Sequence, residues 1–73
     1  MSPFMTHHPE YFSTPQPGVV TEDILPNCLG RVKFRASLWR AKLRQPSSQV
    51  VHEGQVVIVI GRQGLTLLVQ PIS

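Results

Sequence analysis

Gly30 to Arg44 reads GRVKFRASLWRAKLR, and its alternation decides the fold. Val32 and Phe34 fall on one side of an extended chain, and Arg31, Lys33 and Arg35 fall on the other. After a short break, Trp39, Ala41 and Leu43 share one face, while Leu38, Arg40, Lys42 and Arg44 share the opposite one. A period of two on both sides of a break predicts two half-buried antiparallel strands with a tight turn near Ala36 and Ser37. A two-residue turn there sets Phe34 opposite Trp39 on the inner face. Lys33 then faces Arg40, and Arg31 faces Lys42, on the outer face. The aromatic pair would add about 0.5–1.5 kcal/mol beyond simple burial. The facing cations work against the hairpin.

Downstream, Gln45 to Glu53 (QPSSQVVHE) reads as a connecting loop whose Val50 and Val51 tuck under the sheet. Gln55 to Ile60 (QVVIVI) is nearly continuous β-branched sequence, as in a strand buried on both sides or at a crowded seam. Gly61-Arg62-Gln63-Gly64 supplies a hairpin connection, Leu65 to Gln70 is the last strand, and Pro71 ends it. Upstream, Gly18 to Leu25 (GVVTEDIL) is a first strand with a bulge at its polar interruption, followed by a Pro26-Asn27 turn. No segment shows the spacing of an amphipathic helix.

These elements predict an all-β fold, a small five-stranded OB-type Greek-key barrel over residues 18–72, with a longer connection between the third and fourth strands. Val32, Phe34, Trp39, Ala41, Val56, Ile58, Leu67 and Val69 are its expected core. Residues 1–17 contain Pro3, Pro9, Pro15 and Pro17 and no sustained period, so they read as a disordered or loosely draped tail. The aromatic residues Phe4, Tyr11 and Phe12 give that tail a capacity to dock.

A length of 73 residues bounds the chain to one small domain with a modest core. The single cysteine, Cys28, forms no internal disulfide, and no secretory signal is visible, which points to a reducing, cytoplasmic compartment. The longest aliphatic run, Val56 to Ile60, is far shorter than the roughly 20 residues of a membrane-spanning helix. The net charge of +3 hides an asymmetry. Glu10, Glu22 and Asp23 make residues 1–28 acidic, whereas all seven Lys and Arg follow, against Glu53 alone. Such a barrel fits an acidic protein, a phosphate backbone or an anionic lipid surface, and cations of this kind also serve solubility and edge protection.

Catalysis needs a nucleophile or an acid–base pair held by a third group. Cys28, His52, Glu53, Ser47 and Ser48 have no spacing that links them in this way, so no enzyme is expected. Metal binding needs three or four ligands at useful spacing, and His7, His8, Cys28 and His52 do not supply it, so no metal or cofactor is expected. Arg31, Lys33, Arg35, Arg40, Lys42 and Arg44 line one face of the hairpin, where related barrels bind single strands. Their aromatic neighbours Phe34 and Trp39 face inward, however, which removes the stacking platform that single-strand binders use.

The runs LGRVKFRASLWRAKL and HEGQVVIVIGRQGLTLLVQP resemble the C-terminal domain of the NfeD-like proteins. Gly30, Val32, Trp39, Ala41, Gly54, Val56, Gly64, Leu65, Leu67, Val69 and Pro71 fall on that family's pattern in order. The resemblance implies a five-stranded OB-type barrel. It also implies association with a stomatin- or flotillin-like membrane scaffold, or a part in regulating a membrane protease. The protease motif of longer members has no counterpart in these residues, and no family binding motif is carried over. Where the family often has Gly in the hairpin turn, this chain has Ala36-Ser37. The expected function is a non-enzymatic protein-interaction module, monomeric and peripheral to the membrane through its partner. Its contact surface would be the six hairpin cations, and single-stranded nucleic-acid binding through the same face is the alternative.

Overall fold

The computed structural model describes residues 8–26, 28–45 and 49–72. Five strands form, β1 (Glu10–Glu22), β2 (Gly30–Phe34), β3 (Ser37–Leu43), β4 (Val56–Gln63) and β5 (Thr66–Pro71). They close into a barrel in the order β1-β2-β3-β5-β4. Every pairing is antiparallel except β3 with β5, which run parallel. The parallel pair requires a crossover between β3 and β4, the one long connection expected from the sequence. The expected all-β barrel is the fold observed.

The core is a single cluster of Val20, Ile24, Val32, Phe34, Ala41, Val51, Val57, Val59, Leu67 and Val69, with Phe12, Trp39 and Leu43 packed against it. No polar or charged residue is buried among the described residues. Each fully buried Val or Leu contributes about 1.5–3 kcal/mol relative to exposure. Val51 joins this cluster from the connecting loop, held by paired backbone hydrogen bonds with Ile24. Trp39 is half-buried rather than enclosed.

Four readings of the sequence are corrected. First, β1 begins at Glu10, so residues 10–17 are sheet rather than tail; residues 1–7 lie outside the described residues. Glu10 and Tyr11 pair with Arg62 and Gly61 of β4, and Gln16 to Val19 resume that pairing after a register shift. Pro15 and Pro17 are tolerated because this part of β1 extends beyond its pairing with β2, which covers only Val19 to Glu22. A second irregularity between Val20 and Glu22 is the bulge expected at the polar interruption.

Second, the hairpin turn is Arg35-Ala36, one residue earlier than expected. Phe34 therefore pairs with Ser37, Lys33 with Leu38, Val32 with Trp39, Arg31 with Arg40 and Gly30 with Ala41. Both turn residues take positive φ, 53° at Arg35 and 63° at Ala36, the conformation of the primed two-residue turn. The register is held at the far end of the hairpin. A Cβ on Gly30 would lie 2.5 Å from the Glu22 carbonyl and 2.6 Å from that of Asp23, so only glycine fits where β2 meets the β1 bulge.

Third, the inward residues of β4 are Val57 and Val59; Val56 is exposed and Ile58 half-buried. All are β-branched, so composition does not choose the face. Pairing does: Gly18 and Gln16 of β1 oppose Val57 and Val59, and a slip of one residue would turn the whole strand over.

Fourth, Gly61 and Arg62 belong to β4, and the connection to β5 is Gly64-Leu65. A Cβ at Gly61 would collide with the Glu10 carbonyl, so this glycine serves the approach of β1 rather than a turn. The Pro26-Asn27 turn is closed by reciprocal 3.3 Å backbone bonds between Leu25 and Cys28, with Asn27 itself outside the described residues.

Candidate partner-binding face

The outer face of β2 and β3 carries Arg31, Lys33, Arg40 and Lys42, placed there by the same alternation that sends Val32, Phe34 and Ala41 inward. Arg31 and Arg40 stand directly opposite one another. Like charges in that relation destabilise a sheet. Arg31 has one acidic neighbour, Glu22 at 3.8 Å across the β1–β2 pair. Both side chains of that ion pair are about half-exposed, so it contributes little. Lys33 sits opposite Leu38 instead of a second cation, so the hairpin has fewer facing charges than the sequence reading anticipated.

The other two hairpin cations are turned toward β1. The Arg35 guanidinium donates to Gln16 Oε1 through Nε and Nη2, both at 3.3 Å, and lies 5.0 Å from the Phe34 ring centroid. Arg44, just past β3, lies 5.4 Å from the ring centroid of Tyr11. Arg62, absent from the predicted set, pairs with Glu10 at 3.0 Å. The six cations thus form a strand-borne group of four and two flanking residues that hold the extended β1.

A groove of about 760 Å³ runs between the first half of β1 and the hairpin, walled by Tyr11, Phe12, Gln16, Phe34, Arg35 and Trp39. The Trp39 indole Nε1 is buried without a hydrogen-bond partner. The sequence candidates for catalysis do not meet in this groove. Cys28 is exposed at the Leu25 turn. His52 Nδ1 lies 3.4 Å from Asp23 Oδ2, and the Glu53 backbone N–H donates to Asp23 Oδ1 at 2.7 Å. These contacts tie the loop before β4 to the end of β1. The backbone hydrogen bond from Glu53 holds the Asp23 carboxyl below the usual carboxylate range; slight desolvation opposes it and His52 assists. No group of three His, Cys, Asp or Glu able to hold a metal occurs among the described residues. His7, Ser47 and Ser48 lie outside them. No helix among the described residues is long and apolar enough to cross a membrane.

This outer face also carries three exposed apolar residues, Val19, Leu38 and Val56; the sequence reading puts Leu38 there beside the cations, gives Val19 no face and places Val56 in the core. Leu38 was legible, since it alternates with Arg40 and Lys42 at an outward position. Val19 and Val56 were not, because each has an apolar neighbour that could equally have pointed outward.

Fold and face together define a small closed β-barrel domain that presents a broad exposed surface. The chain belongs to the NfeD-like family, since the model of the NfeD-like C-terminal, partner-binding domain matches residues 16–71. Two solved structures are similar to it. One is the C-terminal domain of stomatin operon partner protein 1510-C from Pyrococcus horikoshii, at 30% identity and a TM-score of 0.69, covering 81% of this chain and 86% of that one. The other is the soluble domain of a membrane protein implicated in regulation of membrane protease activity from Corynebacterium glutamicum. It is 30% identical with a TM-score of 0.71, covering 82% of this chain and 92% of that one. Comparison with curated protein sequences finds no match.

Proposed function

We propose that this domain is a non-enzymatic interaction module that docks on a stomatin- or flotillin-like membrane scaffold through Arg31, Lys33, Arg35, Arg40, Lys42 and Arg44. The observation that carries the reading is the direct opposition of Arg31 and Arg40 on an exposed face. That arrangement costs stability in the free domain, and an acidic partner would relieve it. The partner-binding description of the family, and a neighbour named for a stomatin operon, support the choice of partner class. The test is calorimetric titration of the chain with a purified stomatin-like protein, beside the Arg40→Gln/Lys42→Gln variant. The variant is expected to bind at least tenfold more weakly while melting at nearly the same temperature. Equal binding by the two proteins at physiological salt would overturn this surface.

A further inference from the structure

Beside the cations, the outer face carries an apolar row that the core does not use. Val56 of β4 pairs with Val19 of β1, Val19 pairs with Lys33 of β2, and Lys33 pairs with Leu38 of β3. Directly paired residues share a face, so these four form one line across four adjacent strands. Val19, Leu38 and Val56 are 44%, 61% and 45% exposed. At the usual strand spacing the line is about 15 Å long. Val56 and Val19 adjoin, Lys33 stands between them and Leu38, and the next row holds Arg31 and Arg40 with Glu22 beside Arg31, so the face is a small apolar strip with a predominantly cationic surround.

We infer that this row seats an acidic amphipathic helix of the partner, with Val19, Leu38 and Val56 as its apolar floor and Lys33, Arg31 and Arg40 as its charge contacts. The inference rests on the interaction-module reading and specifies the partner's recognition element. Three observations select the occupant. Val19 and Lys33 are each paired on both sides, so an added strand has no free backbone edge along the middle of the row, although β3 at Leu38 is paired with β2 alone. Recognition there must then run through side chains, and about three turns of helix match the length of the row. The surround is predominantly cationic, so the matching helix carries Asp or Glu beside its apolar stripe. A second copy of this chain fits poorly, because the same face would bring Lys33, Arg31 and Arg40 against their own kind.

The test uses the full chain, a Val19→Thr/Leu38→Thr variant that keeps β-favouring residues, and a Lys33→Glu variant, each checked by thermal melting. All are titrated with a purified stomatin-like protein. At least a tenfold loss of affinity in the double variant, at unchanged melting temperature, is the expected result. Equal affinity overturns the inference and leaves the scaffold reading in place. If the unsubstituted chain does not bind that protein, the scaffold reading falls, and a designed helical peptide decides the inference separately. One version of the peptide has leucines on one face flanked by glutamates, and the other has lysines in place of the glutamates. Amide shifts centred on Val19, Lys33, Leu38 and Val56 with the glutamate peptide alone uphold it, and Lys33→Glu should reverse that preference. Silence with both peptides, equal response to both, or dimerisation of the chain through this row overturns it.

Discussion

The Phe12 and Phe34 rings lie parallel, 5° apart in plane with centroids 6.4 Å apart, and so join the first third of the chain to the hairpin. The contact packs the proline-rich first half of β1, whose backbone pairs with β4, onto the hairpin. Phe12→Ala removes a half-buried ring and a stacked pair. Its expected cost is about 2 kcal/mol, less than for a fully enclosed phenylalanine. Urea denaturation measures the loss, and hydrogen exchange should show the amides of residues 10–16 losing protection first. An unchanged urea midpoint would mean that β1 is held without this stack.

The turn residues Arg35 and Ala36 are both in a backbone region that side chains with a Cβ disfavour. Ala36→Gly is therefore expected to raise stability by about 1 kcal/mol, or about 4–8 °C in melting temperature for a domain of this size. Arg35 is a poorer choice for replacement, since its side chain also holds Gln16. A lower melting temperature for Ala36→Gly would place the turn elsewhere.

Gly30→Ala should be severely damaging. The new methyl meets two backbone carbonyls and Ile24 Cγ1 at 2.5–2.6 Å, none of which moves without opening the β1–β2 junction. Loss of the folded state, read as collapse of amide dispersion in an NMR spectrum, is expected. A well-dispersed spectrum would show that the bulge can relax.

Arg40→Glu places an acid directly opposite Arg31. Exchange of a like pair for an opposite pair should stabilise the free domain by about 0.5–1 kcal/mol at low salt, with the gain fading as salt is added. The same substitution should weaken the partner complex. A variant both more stable and a better binder would contradict the assignment of this face.

The depressed Asp23 carboxyl gives a pH dependence whose sign is set by its direction. Its folded-state value lies below the ordinary 3.8, so its contribution is present above that value and fades as pH falls through the lower folded value. Chain and Asp23→Asn variant should differ in stability near neutrality and converge in acid, well below pH 3.8. A constant difference across that range would mean that the Glu53 hydrogen bond does not depend on the charge.

How much was legible varies from strand to strand, and the reason is the same each time. In β2 and β3, cations alternate with apolar residues, so each face is marked and the inward set of Val32, Phe34 and Ala41 follows from the sequence alone. Gly30, Val32, Trp39 and Ala41 of the family pattern lie on these two strands, and its other positions follow from Gly54 onward. In β4 every residue from Val56 to Ile60 is β-branched, and the face was settled by pairing with β1. The same holds for the cationic face. That the charges point outward is local, whereas the opposition of Arg31 to Arg40 and the row of Val56, Val19, Lys33 and Leu38 depend on register.

The sequence by itself determined an all-β chain, the long connection between β3 and β4 and the outward cations, because a period of two and its interruptions are properties of each strand alone; the family followed from the resemblance of its motif positions. Tertiary structure decided where β1 starts, which face β4 buries and where the hairpin turns. Those outcomes come from contacts between residues far apart in the chain, Phe12 with Phe34, Gly18 with Val57 and Gly30 with the β1 bulge, and no local pattern encodes them.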